Sequence, residues 1–235
     1  MLWLLLLIVV VGAVYWIFMS PWSQLWGRFP YSAKTTEKKI ALTFDDGPNE
    51  PYTSELLRIL NKESVLGTFF VVGECAKRHP KMTAKILKDG HVLGNHSLRH
   101  KFSTYMKPGA FIKEVESTQN IIFEQTGKKP AMYRTPWLWR NPLLLRSVNK
   151  LGLHPVGGEF CHSLEVFNAS ANAIAEGALS KIKPGAIIIF HDGKEGTGGD
   201  RKNTVAAVKI LIPRLKQLGY KFETVDKMLG IKAYQ

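Results

Sequence analysis

The chain opens on an unbroken apolar run and then settles into alternation. Leu2 to Met19 (LWLLLLIVVVGAVYWIFM) carries no charged side chain, a length suited to the hydrocarbon thickness of a bilayer. Trp3, Tyr15, Trp16, Trp22 and Trp26 gather toward its ends, where interfacial aromatics sit. Val11 and Ala13 offer a small-residue cleavage site, the mark of a signal peptide. Against that, no Lys or Arg precedes the run, and it continues past Ala13. The pattern predicts a transmembrane anchor over 1–22, a juxtamembrane linker over 23–37 and a folded domain over 38–235.

Within that domain short apolar runs alternate with amphipathic ones. Strands are expected at Lys39–Phe44, Gly67–Val72, His91–Gly94, Ala131–Arg134, His154–Gly157, Ala186–Phe190 and Lys221–Thr224. Helices are expected at Thr53–Lys62, Cys75–Lys88, Gly109–Thr126, Pro142–Lys150, Ala169–Ile182 and Thr204–Leu218. Several of these close on a glycine, as at Gly90, Gly127, Gly152 and Gly219, the residue that suits a left-handed helix stop. Pro213 should kink the last helix or mark its start. Regular alternation of this kind implies parallel βα units, and seven strands would close a barrel smaller than the eightfold form. Chemistry in such barrels sits at the C-terminal ends of the strands.

Composition narrows the picture. At 235 residues and 45% hydrophobic content the chain can bury one sizeable core. A formal net charge of +13 favours an anionic partner such as lipid headgroups or a cell-wall polymer. No run of Lys and Arg interleaved with aromatics stands out, which argues against nucleic acid. Cys75 and Cys161 form neither a CxxC pair nor a disulfide framework. Arg28, Lys34, Lys38 and Lys39 all follow the apolar run, so the positive-inside rule would keep the domain in the cytoplasm. An extracytoplasmic domain on a single-pass anchor is the reading that function favours, and the two conflict.

Candidate chemistry lies after the strands. Thr43-Phe44-Asp45-Asp46-Gly47-Pro48 ends a strand in two adjacent carboxylates and a turn. The first alternative is a plain Asx-type turn. Asn95-His96-Ser97-Leu98-Arg99-His100 follows the third strand, and two histidines four apart can face one metal from a helical turn. With Asp46 they make a set of two imidazoles and one carboxylate, the three-ligand pattern of a catalytic divalent metal, zinc or a relative such as cobalt.

These two motifs closely resemble the polysaccharide deacetylases with a NodB-type domain, also called carbohydrate esterase family 4. The likeness continues through Thr126-Gly127-Lys128-Lys129-Pro130, Tyr133-Arg134-Thr135-Pro136-Trp137 and Ile187-Ile188-Ile189-Phe190-His191-Asp192-Gly193, and so covers the chain from Lys38 onward. It implies a distorted (β/α)7 barrel and a metal-dependent hydrolase acting on amide bonds. The N-acetylglucosamine glycans it would deacetylate include peptidoglycan and chitooligosaccharides. By the same resemblance Asp45 is the general base, and Asp46, His96 and His100 hold the metal. Arg134 orients Asp45, and the backbone N–H of Trp137, after Pro136, stabilises the oxyanion. His191 protonates the leaving amine, and Ile189 lines the pocket for the acetate methyl.

Two departures from the family pattern bear on substrate. Leu138 stands where a glycine usually follows the aromatic, which implies an altered groove wall. The segment Gly157-Gly158-Glu159-Phe160-Cys161-His162-Ser163-Leu164-Glu165 replaces a motif whose Asp tunes the catalytic histidine, with Glu159 and Glu165 as rival substitutes. Cys161 reads as a buried thiol and His162 as a surface residue. The glycine-rich stretch from Gly193 to Arg201 lacks the order of a phosphate loop and reads as a mobile rim, with Lys194, Arg201 and Lys202 as candidate contacts to an anionic substrate. Alternatives to the glycan deacetylase are a deformylase or deacetylase of a lipid-linked amino sugar and a non-catalytic glycan-binding relative. Esters of acetylated xylan would suit the same chemistry.

Overall fold

Residues 1–107 and 109–235 are described by a computed structural model. In chain order its elements are α1 (Leu2–Phe18), β1 (Lys39–Asp45), α2 (Tyr52–Lys62), β2 (Thr68–Val71), α3 (Gly73–Arg78), α4 (Pro80–Lys88), β3 (Val92–Asn95), α5 (Ala110–Thr126) and β4 (Met132–Tyr133). There follow α6 (Pro142–Lys150), β5 (His154–Pro155), β6 (Glu159–Phe160), α7 (Ala171–Leu179), β7 (Ala186–His191), α8 (Lys202–Gln217), β8 (Lys221–Phe222) and α9 (Val225–Leu229).

Seven parallel strands run in the order β5-β4-β3-β2-β1-β7-β6. The two end strands do not pair with each other, so the sheet is a half-barrel with an open seam. β8 joins β1 at Lys39 and Ile40, while β2 takes Thr43 to Asp45 along the same strand. The seven strands are not the seven expected from the hydrophobic pattern. Glu159–Phe160 supplies a strand too short to show any hydrophobic period, and the Lys221–Thr224 strand shrinks to the two-residue β8.

Parity along the two central strands divides core from site. On β1, Ile40, Leu42 and Phe44 point outward into a layer shared with α2, α7 and α8, where Phe44 stacks on Phe69 at 4.7 Å. The alternate residues Ala41, Thr43 and Asp45 pair in register with Ile187, Ile189 and His191 of β7. Successive side chains on a strand leave opposite faces, so this second set climbs the barrel interior in three layers and ends at Asp45 and His191. Burying side chains of Leu, Ile or Phe size contributes roughly 2–3 kcal/mol each. The outer set therefore holds the strands rigidly under the catalytic layer.

Three expectations change. Cys75–Lys88 is two helices rather than one, because His79 turns away from helical geometry (φ −125°, ψ 56°) ahead of Pro80, as residues before proline do. α8 begins at Lys202 and runs through Pro213, so Pro213 does not mark its start. α1 has 17 residues and an exposed, uncharged surface. At 1.5 Å per residue it reaches about 25 Å against a hydrocarbon core of about 30 Å. No helix among the described residues is long and apolar enough to cross a membrane, so the expected transmembrane helix is not met in that form. Residues 18–33, expected to belong to anchor and linker, lie against the barrel. Phe29 is fully buried, and Ala33 N–H donates to Gly185 O at 2.8 Å.

Candidate active site

Four strand ends converge on one cleft of about 450 Å3, lined among others by Asp45, Asp46, His96, His100, Trp137 and His191. β1 delivers the two carboxylates, and the chain turns at once, with Asp46 in the left-handed region at φ 77°. Asp tolerates that conformation better than most residues. The turn leaves no room for a side chain on Gly47, whose Cβ would lie 2.0 Å from Asp192 Oδ2. Asp192 caps the turn by accepting from Gly47 N–H at 3.1 Å and from Thr53 Oγ1 at 2.5 Å. Burial pushes the Asp192 carboxyl up to about 7.

Asp46 Oδ1 lies 3.4 Å from His96 Nε2 and 3.2 Å from His100 Nε2. The three ligand atoms fall within 4.8 Å of one another, and all three residues are buried. His96 Nδ1 meets the Arg134 carbonyl at 2.7 Å. A carbonyl can only accept, so Nδ1 carries the proton and Nε2 keeps its lone pair for the centre of the cluster. Burial brings the His100 imidazole down to about 4, which keeps it in the neutral form a metal needs. Asp46 Oδ1 is buried without a hydrogen-bond partner, an orphan that costs stability unless something occupies the centre. The donor set, the protonation states and the orphaned oxygen all fit a divalent cation.

The histidine segment is not the helical turn its spacing suggested. Ser97 and His100 both adopt positive φ, at 70° and 52°. The loop is held from beneath by Glu114 of α5, a buried carboxylate that accepts from Ser97 Oγ, Leu98 N–H and Arg99 N–H at 2.9–3.0 Å. Sequence reasoning misses Glu114, although it occupies the apolar stripe Phe111, Val115, Thr118 and Ile122, where an acidic residue is out of place.

Arg134 is fully buried beneath Asp45 and makes a 2.7 Å ion pair with its Oδ1. The same guanidinium donates to Thr43 Oγ1 and to Gly157 O, and it lies 4.0 Å from the Phe70 ring centroid. Burial lowers the Arg134 pKa below the ordinary guanidinium value, and Asp45 offsets that only in part. The free carboxylate edge of Asp45 is left toward the metal side, its Oδ2 being 4.0 Å from His96 Nε2. Trp137 and Leu138 hold positive φ values of 53° and 55° in a tight turn after Pro136. Trp137 packs edge-on to His100 at 4.4 Å. Leu138 lines the cleft while its side chain reaches into the core.

Across the cleft, His191 Nδ1 meets Glu165 Oε2 at 2.5 Å, and Glu165 Oε1 accepts from His191 N–H and Thr204 Oγ1. The choice between the two glutamates is thereby resolved geometrically. Glu159 also lines the cleft, but its carboxylate pairs with Lys183 Nζ at 2.9 Å rather than with His191. Burial alone would lower the His191 pKa, but the Glu165 carboxylate overrides it and raises it to about 9. Burial opposes ionisation of Glu165, and the facing His191 holds it low. Phe160 stacks parallel to the His191 ring at 6.3 Å.

Other residues singled out by motif or charge fall outside the cleft lining or only partly reach it. Ile189 and Pro136 are buried beside it, Ile189 one layer below His191 by strand parity. Cys161 is a buried thiol pushed well up by its burial. Of the three expected anion contacts, Lys194 and Arg201 line the cleft, Arg201 being buried with its Nε donating to Gly193 O, and Lys202 pairs with Asp200 at 3.4 Å. The glycine-rich stretch folds back onto the site, where Glu195 N–H donates to Asp46 Oδ2 at 2.8 Å.

The family model for polysaccharide deacetylase matches residues 32–156. A peptidoglycan-N-acetylglucosamine deacetylase of Bacillus cereus is 30% identical over 207 residues, 88% of this chain and 95% of that one. The chain spans 40% of the length of a Listeria monocytogenes peptidoglycan-N-acetylglucosamine deacetylase, to which it is 31% identical over 84% of itself. Among solved structures, a peptidoglycan N-acetylglucosamine deacetylase bound to a substituted N-oxidanyl-benzamide superposes with TM-score 0.81 at 27% identity, covering 87% of this chain and 94% of that one. An acetyl xylan esterase from Clostridium thermocellum, in complex with a cobalt ion, superposes with TM-score 0.74 at 30% identity, covering 84% and 94%.

Proposed function

This chain belongs to the polysaccharide deacetylase family, and from that premise we propose that it removes N-acetyl groups from N-acetylglucosamine-containing glycans of the peptidoglycan or chitooligosaccharide type. The observation that carries the reading is the convergence of three buried ligand atoms within 4.8 Å, with Asp45 on one flank and His191 on the other.

Asp46, His96 and His100 would hold a divalent ion, zinc being the best match to two imidazoles and a carboxylate, with cobalt also suited. Such an ion supplies Lewis-acid polarisation of the amide carbonyl and acidifies the attacking water. Asp45 takes the proton from that water. Arg134 pairs with Asp45 Oδ1 and fixes its free oxygen toward the reacting centre. The Trp137 N–H, turned by its positive φ, is the donor for the developing oxyanion. His191, charged through Glu165, gives its proton to the leaving nitrogen. A glycan-binding module without turnover would have no physical use for the base, the acid and their two buried partners together.

Acetate release is the direct test, measured on peptidoglycan and chitooligosaccharides with zinc, with a chelator and after zinc is restored. The wild-type chain should release acetate in a chelator-sensitive way. Asp45→Asn should lower turnover by about a hundredfold to ten-thousandfold, the range for losing a general base, while bound zinc stays at one equivalent. Full activity in that variant would remove Asp45 from the role.

One observation favours a second substrate reading, a lipid-linked amino sugar. The apolar N-terminal segment lines the same cleft through Tyr15, Pro21 and Trp22. With no charged side chain before Arg28, we take α1 to be a membrane-embedded segment; that the barrel works on the extracytoplasmic side is proposed from its glycan substrate, against the orientation that Arg28, Lys34, Lys38 and Lys39 favour.

A further inference from the structure

We propose that the catalytic cleft opens onto a lipid bilayer and takes its amino sugar from an amphiphilic carrier seated in that bilayer, such as a polyprenyl diphosphate. The inference rests on the hydrolase reading above and names its substrate.

α1 does not leave the domain on a free tether. Arg140, with no exposed surface, donates to the carbonyls of Leu138, Ser20 and Ser23, and its own N–H donates to Phe18 O at 3.0 Å. Its guanidinium also lies 4.6 Å from the Phe29 ring centroid. Phe18 stacks on Trp139 at 5.0 Å, and Gln24 closes a two-bond ring with the Phe29 backbone. A buried cation spanning three carbonyls is a rigid fastening, because breaking it leaves a charge without partners. The end of α1 is therefore fixed against the rim of the cleft.

That fastening shapes the cleft itself. Tyr15, on the last turn of α1, lines it together with Pro21 and Trp22, and the opposite rim carries Phe167. Tyr15, Trp22 and Phe167 are 48%, 54% and 76% exposed. Tyr15 belongs both to this rim and to α1, whose residues from Leu2 to Val11 are all largely exposed. A free, fully hydrated sugar chain has no use for an apolar path leading away from the reacting centre. An isoprenoid tail does. Lys194, exposed on the cleft wall, supplies a cation for the diphosphate between sugar and tail. Aromatics at the end of α1 belong at the level of the headgroups, which sets the metal site just above the bilayer surface.

The test uses the full chain with anionic phospholipid vesicles carrying N-acetylglucosamine on a polyprenyl diphosphate, against soluble chitotetraose, with acetate as the readout. The carrier should be preferred in kcat/KM by about tenfold or more, since both partners share one surface. Val10→Asp should abolish co-sedimentation with vesicles and erase that preference while turnover of chitotetraose persists. Trp22→Ala should raise KM for the carrier at least severalfold while the protein still sediments with vesicles. Equal use of the two substrates, a preference that survives Val10→Asp, or an unchanged KM in Trp22→Ala would each overturn the proposal while leaving the hydrolase reading intact. No acetate from either substrate, with zinc bound, would overturn the hydrolase reading and the proposal with it.

Discussion

The metal triad and the His191–Glu165 dyad face each other across one cleft, yet they are assembled on different terms. The triad comes from two loops that follow strands of the same sheet, and backbone groups hold two of its members, Asp46 and His96. His96 is fixed by the Arg134 carbonyl, and its loop by Glu114. The dyad joins β7 to a short turn 26 residues upstream and to Thr204 at the start of α8. Geometry on the metal side is set by a carboxylate under a loop, which acts through shape. On the acid side it is set by one charged pair, which acts through protonation. Damage to the first should show in metal affinity, and damage to the second in pH dependence.

The largest effect should come from the metal side. His96→Ala removes one of three ligands, and acetate release should fall on the order of a thousandfold or more, given the several kcal/mol a Lewis-acid centre contributes. Zinc content measured on the purified protein should fall with it. A variant that keeps both would separate His96 from the metal and break the comparison at its root.

Glu165→Gln should cost about a hundredfold in kcat, the lower range for a general acid, with zinc content unchanged. Its particular signature is the titration of His191 in chelated protein, followed by NMR. In the wild type the ring should lose its proton near pH 9, and in the variant the midpoint should move down toward the ordinary 6.5. The same shift carries stability. Because the folded pKa of His191 lies above its unfolded value, the pair stabilises the fold fully below about 6.5, and that contribution is lost as pH rises through about 9. Glu165 is shifted the other way, so its share is present above the ordinary carboxylate range and lost on acidification. Thermal melts of chelated wild-type and variant proteins should therefore differ most between these limits and converge above pH 9 to 10. Unchanged titration of His191 would mean that Glu165 only supports the backbone.

The smallest effect is expected at Glu114→Gln, which keeps the shape but weakens the grip on Ser97, Leu98 and Arg99. Outer partners of metal ligands typically contribute about tenfold to a hundredfold in affinity. Zinc competition titrations should show that loss, with kcat near wild type once zinc saturates. A fall in kcat at saturating zinc, with affinity unchanged, would put Glu114 on the chemical side of the comparison.

Much of the site is legible in the sequence because it is local. Asp45 and Asp46 adjoin at a strand end, and His96 and His100 lie four apart, so spacing alone points to the cluster. Even so, spacing misjudges the backbone. The two histidines converge through positive φ at Ser97 and His100 rather than through a helical turn, since a buried carboxylate can satisfy a loop's N–H groups without helical bonds. The depth of Ile189 is likewise set by the strand. It stands two residues before His191 on the same strand face, but that parity sets it one layer down, under the cleft floor.

By itself the sequence determined the βα alternation and set Asp45, Asp46, His96 and His100 at two strand ends as one candidate cluster, while the roles of base and acid came from the resemblance to the family. The pairing of Glu165 with His191, the loop-holding role of Glu114 and the seating of the N-terminal segment on Arg140 were decided only by tertiary structure. Each joins residues 15 to 120 positions apart. Glu159 and Glu165 are alike in chemistry and nearly alike in position along the chain. Only the fold, by turning one toward Lys183 and the other toward His191, gave them different work.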